Sequence, residues 1–163
     1  MRWDPPETEA ELEAPYQKNI AAWEGDSAYC FTIEDLESKF FIGRIAISRE
    51  DEKDVWSVGF WTYPDFQNKG FMSEVLTAII RLGFGSLGAT RIEACHALWN
   101  KASERILHNG GLRLIQHVPK GFKKNGEWVE ENLLSITRME WEEHTANNAM
   151  HSDGNVAAIH SRR

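Results

Sequence analysis

The chain reads as an α+β domain: a mostly antiparallel central sheet of about six strands, flanked by helices. Three observations predict this. Six runs rich in β-branched and aromatic residues are distributed over residues 28–139, the first two joined by a short polar turn. Between the third and fourth runs, Met72, Val75, Leu76, Ile79 and Ile80 recur at helical spacing. The length of 163 residues suits one core, and 42% apolar content with seven tryptophans and eight phenylalanines is enough to fill it.

Taken in order, residues 6–24 read as a helix. Thr8 stands as N-cap with Glu11 three positions on, and Leu12, Tyr16, Ile20 and Trp23 form a stripe that Gly25 ends. Residues 28–34 and 39–48 make a hairpin, and the charged loop 49–54 leads to a third strand at 55–62. A helix follows over 71–87, with Gly88 placed for a left-handed cap. Residues 91–97 form another strand and 103–109 a short helix. Residues 112–118 and 131–139 close the sheet as an antiparallel pair around the loop 120–128. From His144 onward Asn, Ser, His, Ala and Gly dominate without periodicity, so the domain is expected at 1–143 and a disordered tail at 144–163.

The bulk numbers exclude some functions. A net charge of −7 argues against general affinity for nucleic acid or an anionic membrane, and suits a cationic acceptor no better than it suits an ordinary acidic surface. There is no apolar leader and no run long enough to span a bilayer, which makes a cytoplasmic location the expectation. Cys30 and Cys95 sit inside apolar runs and are expected as buried free thiols. His144, His151 and His160 lack the spacing of a short metal-ligand pair, so no metal is expected.

The chemistry concentrates at Gln67-Asn68-Lys69-Gly70-Phe71-Met72, between the run Val55-Trp56-Ser57-Val58-Gly59-Phe60-Trp61 and the amphipathic helix. A glycine loop that opens into a helix aims unpaired N–H groups, and the positive end of the helix dipole, at one point. Lys69 adds a charge within reach of the same anion. Thirty residues on, Asn100-Lys101-Ala102-Ser103 opens a short helix that ends at Gly110-Gly111, with Asn100 suited to be its N-cap.

Together these pieces resemble the GNAT superfamily of acetyl-CoA-dependent N-acetyltransferases, and within it the ribosomal-protein N-terminal acetyltransferases. The family's pyrophosphate motif, Q/R-x-x-G-x-G/A, appears as Gln67 to Met72 followed by Ser73-Glu74-Val75-Leu76. The preceding G-Y-W run appears as Gly59-Phe60-Trp61. The later R-I/V-E-A…N-x-x-S-x-R pattern appears as Arg91-Ile92-Glu93-Ala94 and Asn100 to Arg105. The terminal hairpin element appears as Asn125-Gly126-Glu127-Trp128-Val129-Glu130. Two departures stand out: Met1 lies almost on top of Trp3-Asp4-Pro5-Pro6, which in the family follows a further strand and helix, and Ser57 replaces a glutamate common in this branch.

The resemblance implies acetyl-CoA as co-substrate, held in a V-shaped opening between the third and fourth strands. It implies contacts from Val58, Phe60 and Trp61, then from Gln67, Asn68, Lys69, Gly70, Phe71, Met72 and Ser73, and from Asn100, Ala102 and Ser103. The plain reading of Met72 is core, and of Gly59 either a site of close ligand approach or relief of packing. Ser103 is implied as donor to the departing sulfur. Glu93 and Glu130 match acidic positions and are candidates for the base, with His96 and His117 nearby but more ordinary as structural strand histidines. The residues do not choose among them. The implied activity is direct acetyl transfer to a primary amine, a peptide N-terminus or a small molecule, within a ternary complex. The rival is an acyl-CoA-binding, catalytically weak truncated relative. Lacking the family's first strand, 28–34 is expected at a bare sheet edge, which favours a homodimer.

Overall fold

The computed structural model describes residues 8–159, with side-chain surroundings through residue 148. The six apolar runs form β1 (Ala28–Glu34), β2 (Phe41–Arg49), β3 (Val55–Thr62), β4 (Arg91–Ala97), β5 (Arg113–Lys124) and β6 (Glu127–Thr137). They assemble into one sheet in the order β1-β2-β3-β4-β6-β5. Every neighbouring pair is antiparallel except β3 with β4. The helices are α1 (Glu13–Glu24), α2 (Phe71–Gly85), α3 (Lys101–Asn109) and α4 (Arg138–Ile159). The α+β class and the six-stranded sheet are as expected.

The parallel pair creates the site. β3 and β4 are paired only at Val55 with Arg91, Trp56 with Ile92 and Ser57 with Glu93. Beyond that, β3 stays with β2 as far as Thr62, while β4 stays with β6 as far as Ala97. Each strand keeps its outer partner, so the sheet divides into two arms with a V between residues 58–62 and 94–97. One face of both arms is closed by α2, whose Leu76, Ile80 and Phe84 pack with Ile45, Ile47, Ile92 and Ile136. Gly83 permits this approach, since a Cβ there would lie 2.7 Å from Ile92 Cδ1 and 3.1 Å from Ile47 Cδ1.

Several boundaries differ from expectation for identifiable reasons. The helix read over 6–24 is a 3-10 turn, Glu9–Leu12, followed by α1. Thr8 does not cap it: its hydroxyl donates to Glu11 Oε1 at 3.1 Å instead of accepting a backbone N–H. The stripe is not core either, since Tyr16, Ile20 and Trp23 remain about half exposed. The loop expected at 120–128 is mostly strand, because Asn125 (φ 51°) and Gly126 (φ 83°) form a tight left-handed turn that lets β5 and β6 run on as one hairpin. α3 starts at Lys101, two residues early, because Asn100 caps it.

A further boundary differs at the C-terminal end. The strand expected to run to 139 stops at Thr137, and α4 (Arg138–Ile159) begins there. The helix is started by a reciprocal cap: the Glu140 N–H donates to Thr137 Oγ1 at 3.3 Å, and the Thr137 N–H donates to Glu140 Oε2 at 2.8 Å. Trp141 then stacks on Phe84, and His144 packs over Gly111. No disulfide joins the cysteines, and Cys95 is exposed rather than buried as expected. The Trp3–Pro6 motif and His160 lie outside the described residues.

Candidate functional site

A groove of about 340 Å³ runs between the end of β3, the start of α2 and α3. Its α2 side is built by local backbone. After Thr62, residues Pro64–Phe66 make one 3-10 turn, and Gln67 Nε2 donates back to Thr62 O at 3.2 Å. Asn68 (φ 59°) and Gly70 (φ 87°) are both left-handed, and Gly70 is the N-cap of α2 without any side-chain cap. A Cβ on Gly70 would meet nothing within 4 Å, so this face of the loop is open. The Ser73 and Glu74 N–H groups already donate to Gly70 O, at 3.0 and 3.2 Å. That leaves the N–H groups of Phe71 and Met72 as the first-turn donors without a partner inside the helix.

Gln67, Asn68, Gly70, Met72 and Ser73 line the groove, as do Phe60 and Trp61 of β3. Met72 is also buried in the core, so both readings of it hold. The Lys69 side chain does not line the groove: its Nζ lies over the Phe66 ring at 5.3 Å. The Phe71 ring packs edge-on against Phe66, and Phe71, expected as a contact, does not line the groove. Val58 lines neither cavity described here; its side chain is core, opposite Ile47.

The other wall is α3. Asn100 Oδ1 accepts from the Ser103 N–H at 3.1 Å, which fixes the first turn and sets the Ser103 hydroxyl in the groove wall. Ala102 lines it beside Ser103, and so do Arg105 and Asn109. Arg105 was within the quoted pattern but not singled out as a contact. Its position two residues after Ser103 was the available signal.

A second, larger cavity of about 780 Å³ lies on the far side of the V, between the two arms and α1. Phe60, Trp61, Asn100 and Ser103 belong to both cavities. These four residues mark the junction, where β3 has just left β4. Arg44 and Glu131 are the charged side chains of the second cavity, one on each arm. Glu131 is 2% exposed, and it lies against Gly121, where any Cβ would overlap its carboxylate. A register shift in β5 between Val118 and Phe122 brings that glycine over it.

His96 lines the same cavity and is 3% exposed. Its Nδ1 lies 3.0 Å from Ala97 O, an acceptor, so Nδ1 carries a proton, and in the neutral ring Nε2 is an acceptor. Among the described residues, none gives that buried Nε2 a hydrogen bond. Nearby on α3, the hydrogen bond from the Lys101 ammonium holds the Glu104 carboxyl below its usual range.

The two glutamates expected as base candidates are not brought to the junction. Glu93 is at the closed end of the V and accepts from Arg91 Nε at 2.8 Å. Glu52 and Glu93 together hold the Arg91 guanidinium above its usual range, so this corner is a structural ion cluster. Glu130 is half exposed and pairs with His117 Nε2 at 3.1 Å. Its neighbour Glu131 is the one that faces the cavity, because side chains alternate along β6. Among the described residues, no group of three or more His, Cys, Asp or Glu side chains is placed to hold a metal ion. None of the described helices is long and apolar enough to cross a membrane.

Comparison with known proteins meets this geometry. Residues 1–113 match the family described as acetyltransferase (GNAT) domain. An uncharacterized N-acetyltransferase of Bacillus subtilis (strain 168), YnaD, is 30% identical over 134 residues, covering 82% of this chain and 76% of that protein. Among solved structures, spermidine N-acetyltransferase from Vibrio cholerae in complex with CoA and spermine superposes with a TM-score of 0.74 at 21% identity, over 86% of this chain and 81% of the other. The ribosomal-protein-S5-alanine acetyltransferase from Vibrio fischeri gives a TM-score of 0.75, also at 21% identity, over 86% and 80%. At that identity the two structures speak to the fold.

Proposed function

This chain belongs to the GNAT acetyltransferase family and is an N-acetyltransferase, and we propose that it moves the acetyl group of acetyl-CoA directly to a small primary amine bound in the second cavity. The observation that carries this is the sharing of Phe60, Trp61, Asn100 and Ser103 by the two cavities, which brings an acyl donor and an amine together at one opening. A small acceptor is favoured over a protein N-terminus because α1 walls the cavity through Tyr16 and Asn19.

In this reading the acyl donor supplies an activated thioester, and the chain's own groups do the rest. The Phe71 and Met72 N–H groups and the α2 dipole hold the pyrophosphate, with Gly70 leaving room for it. Arg105 sits on the facing wall as a cationic contact. Backbone N–H groups of β3 beyond Ser57, released from pairing with β4, hydrogen-bond the pantetheine arm and the thioester oxygen. The acceptor enters as an ammonium and must lose a proton before its nitrogen attacks. His96 Nε2 takes that proton, directly or through water, and Glu131 holds the amine in place. As the C–S bond breaks, the Ser103 hydroxyl donates to the departing sulfur.

Calorimetry with acetyl-CoA, followed by coenzyme A release with a broad amine panel, tests this reading. Binding together with amine-dependent release is expected. Absence of acetyl-CoA binding refutes the groove assignment. Binding without release on any amine refutes catalysis and returns the chain to an acyl-CoA-binding module.

A further inference from the structure

Arg44 is placed where a cation is out of keeping with a cavity that receives only an amine. It lies on β2 between Thr32 of β1 and Trp61 of β3, half-buried, and it lines the second cavity. Its Nη2 donates to the Cys30 thiol at 3.1 Å, a weak acceptor, and its guanidinium stacks over the Tyr16 ring at 5.4 Å. Among the described residues, its buried Nε has no hydrogen-bond partner. Among the described residues no carboxylate pairs with it, although the chain holds 25 acidic side chains. A partly buried guanidinium with poor acceptors is unfavourable unless something better arrives. Its planar fork fits a carboxylate through two parallel hydrogen bonds.

The rest of the lining says what such an anion is attached to. Tyr16, Phe41, Trp61, Trp99 and Phe122 give the cavity aromatic walls, several of them substantially exposed. Glu131, the opposite charge, is on the other arm, beside Ala97 and the junction. One arm therefore offers a cation and the other an anion, with apolar surface between them.

We infer that the acceptor is an amino carboxylic acid with an apolar or aromatic body, its carboxylate held by Arg44 and its amine presented on the Glu131 side toward Ser103. The inference rests on the reading of the second cavity as the acceptor site. It disfavours polyamines, which carry no anion for Arg44 and would place a second cation against it.

The test compares matched pairs: L-tryptophan with tryptamine and L-phenylalanine with phenethylamine, alongside spermidine and a C-terminally amidated tripeptide. Coenzyme A release gives kcat/KM for each on the wild-type chain and on Arg44→Gln, and calorimetry gives acetyl-CoA affinity for both. The expected result is at least a tenfold preference for each acid over its decarboxylated partner, and a ratio that falls toward one in Arg44→Gln. A preference that survives in a folded Arg44→Gln protein overturns the inference. So does equal or better use of tryptamine, spermidine or the tripeptide amide. If acetyl-CoA binds but no member of the panel is acetylated, this inference fails while the cofactor groove stands. If acetyl-CoA does not bind, the broader reading fails first and this one with it.

Discussion

On the proposed reading of the groove, replacing Gly70 separates the two forces that would hold an anion at the start of α2. The residue sits at φ 87° with open space where a Cβ would be, so a side chain there strains the backbone but strikes nothing. Asparagine tolerates the left-handed region better than most residues, and the strain of either Asn or Asp is about 1 kcal/mol. Charge is what distinguishes them. An added carboxylate about 6 Å from a pyrophosphate, at an effective dielectric of about 40, costs ~1.4 kcal/mol for each unit of facing charge. Each such unit is a factor of about ten in affinity. Gly70→Asn is therefore expected to bind acetyl-CoA several-fold more weakly than wild type, and Gly70→Asp at least tenfold more weakly than Gly70→Asn. Isothermal titration at low salt measures both, and the gap between them should narrow as ionic strength rises. Equal affinities for the Asn and Asp variants, with both proteins folded, would mean that no phosphate sits at this loop.

Four further outcomes are expected. Ser103→Ala should lower kcat several-fold with acetyl-CoA affinity nearly unchanged, since one hydrogen bond to the leaving sulfur is lost; calorimetry and steady-state kinetics together check this, and a loss confined to cofactor affinity would assign Ser103 to binding alone. Gly121→Ala must displace the Glu131 carboxylate that occupies the place of its Cβ, so KM for the amine should rise at least tenfold while acetyl-CoA affinity holds, and an unchanged KM would remove Glu131 from the acceptor site. The Glu140 carboxyl is held below its usual range by the Thr137 N–H and then its hydroxyl. Its contribution to stability is thus present above the ordinary glutamate pKa and lost as pH falls through the lowered value; Glu140→Gln should flatten that acid limb of thermal stability, and an unaltered limb would refute the assignment. Finally, β1 ends the sheet, and among the described residues no strand pairs with its outer edge, so a homodimer is expected; sedimentation of the full chain as a clean monomer at micromolar concentration would show the edge is protected otherwise.

Elements whose signal is local were legible in the sequence. β3 and β4 lie where the sequence places them, at 55–62 and 91–97, each entered from a polar residue, Asp54 and Thr90. α2 and its glycine start were legible for the same reason: stripe, cap and loop are all within twenty residues. α4 was not, although Thr137 and Glu140 have the spacing of a capping box. The apolar character of β6 carries on to Met139, which hides the start of the helix. Its first turns are held by tertiary contacts instead, Trp141 against Phe84 and the Arg138 guanidinium donating to Phe84 O and Ala89 O. α1 failed in the opposite sense. Its stripe has helical spacing, yet that face stays half exposed, since periodicity predicts a face without supplying anything to cover it.

The site divides along the same line. That residues of 67–73 and of 100–103 would line one groove could be read, because local backbone shapes both segments. The acceptor side could not, because its residues come from β2, β4 and β6 and meet only where the arms separate. Glu130 and Glu131 show how little is needed to miss it. A matched hairpin motif locates the pair, but a strand alternates every residue, and the register of β6 on β4, with Ala97 opposite Glu131, decides which carboxylate turns inward. Arg44 gives no sequence signal at all, since a lone arginine in an apolar strand reads as a surface residue of an edge hairpin. Only the pairing of β2 inside the sheet, and the opening of β3 from β4 beside it, make that arginine a cation facing a cavity. On the proposed reading, local sequence shapes the wall for the acyl donor, and the separation of the two arms determines what can be offered to it.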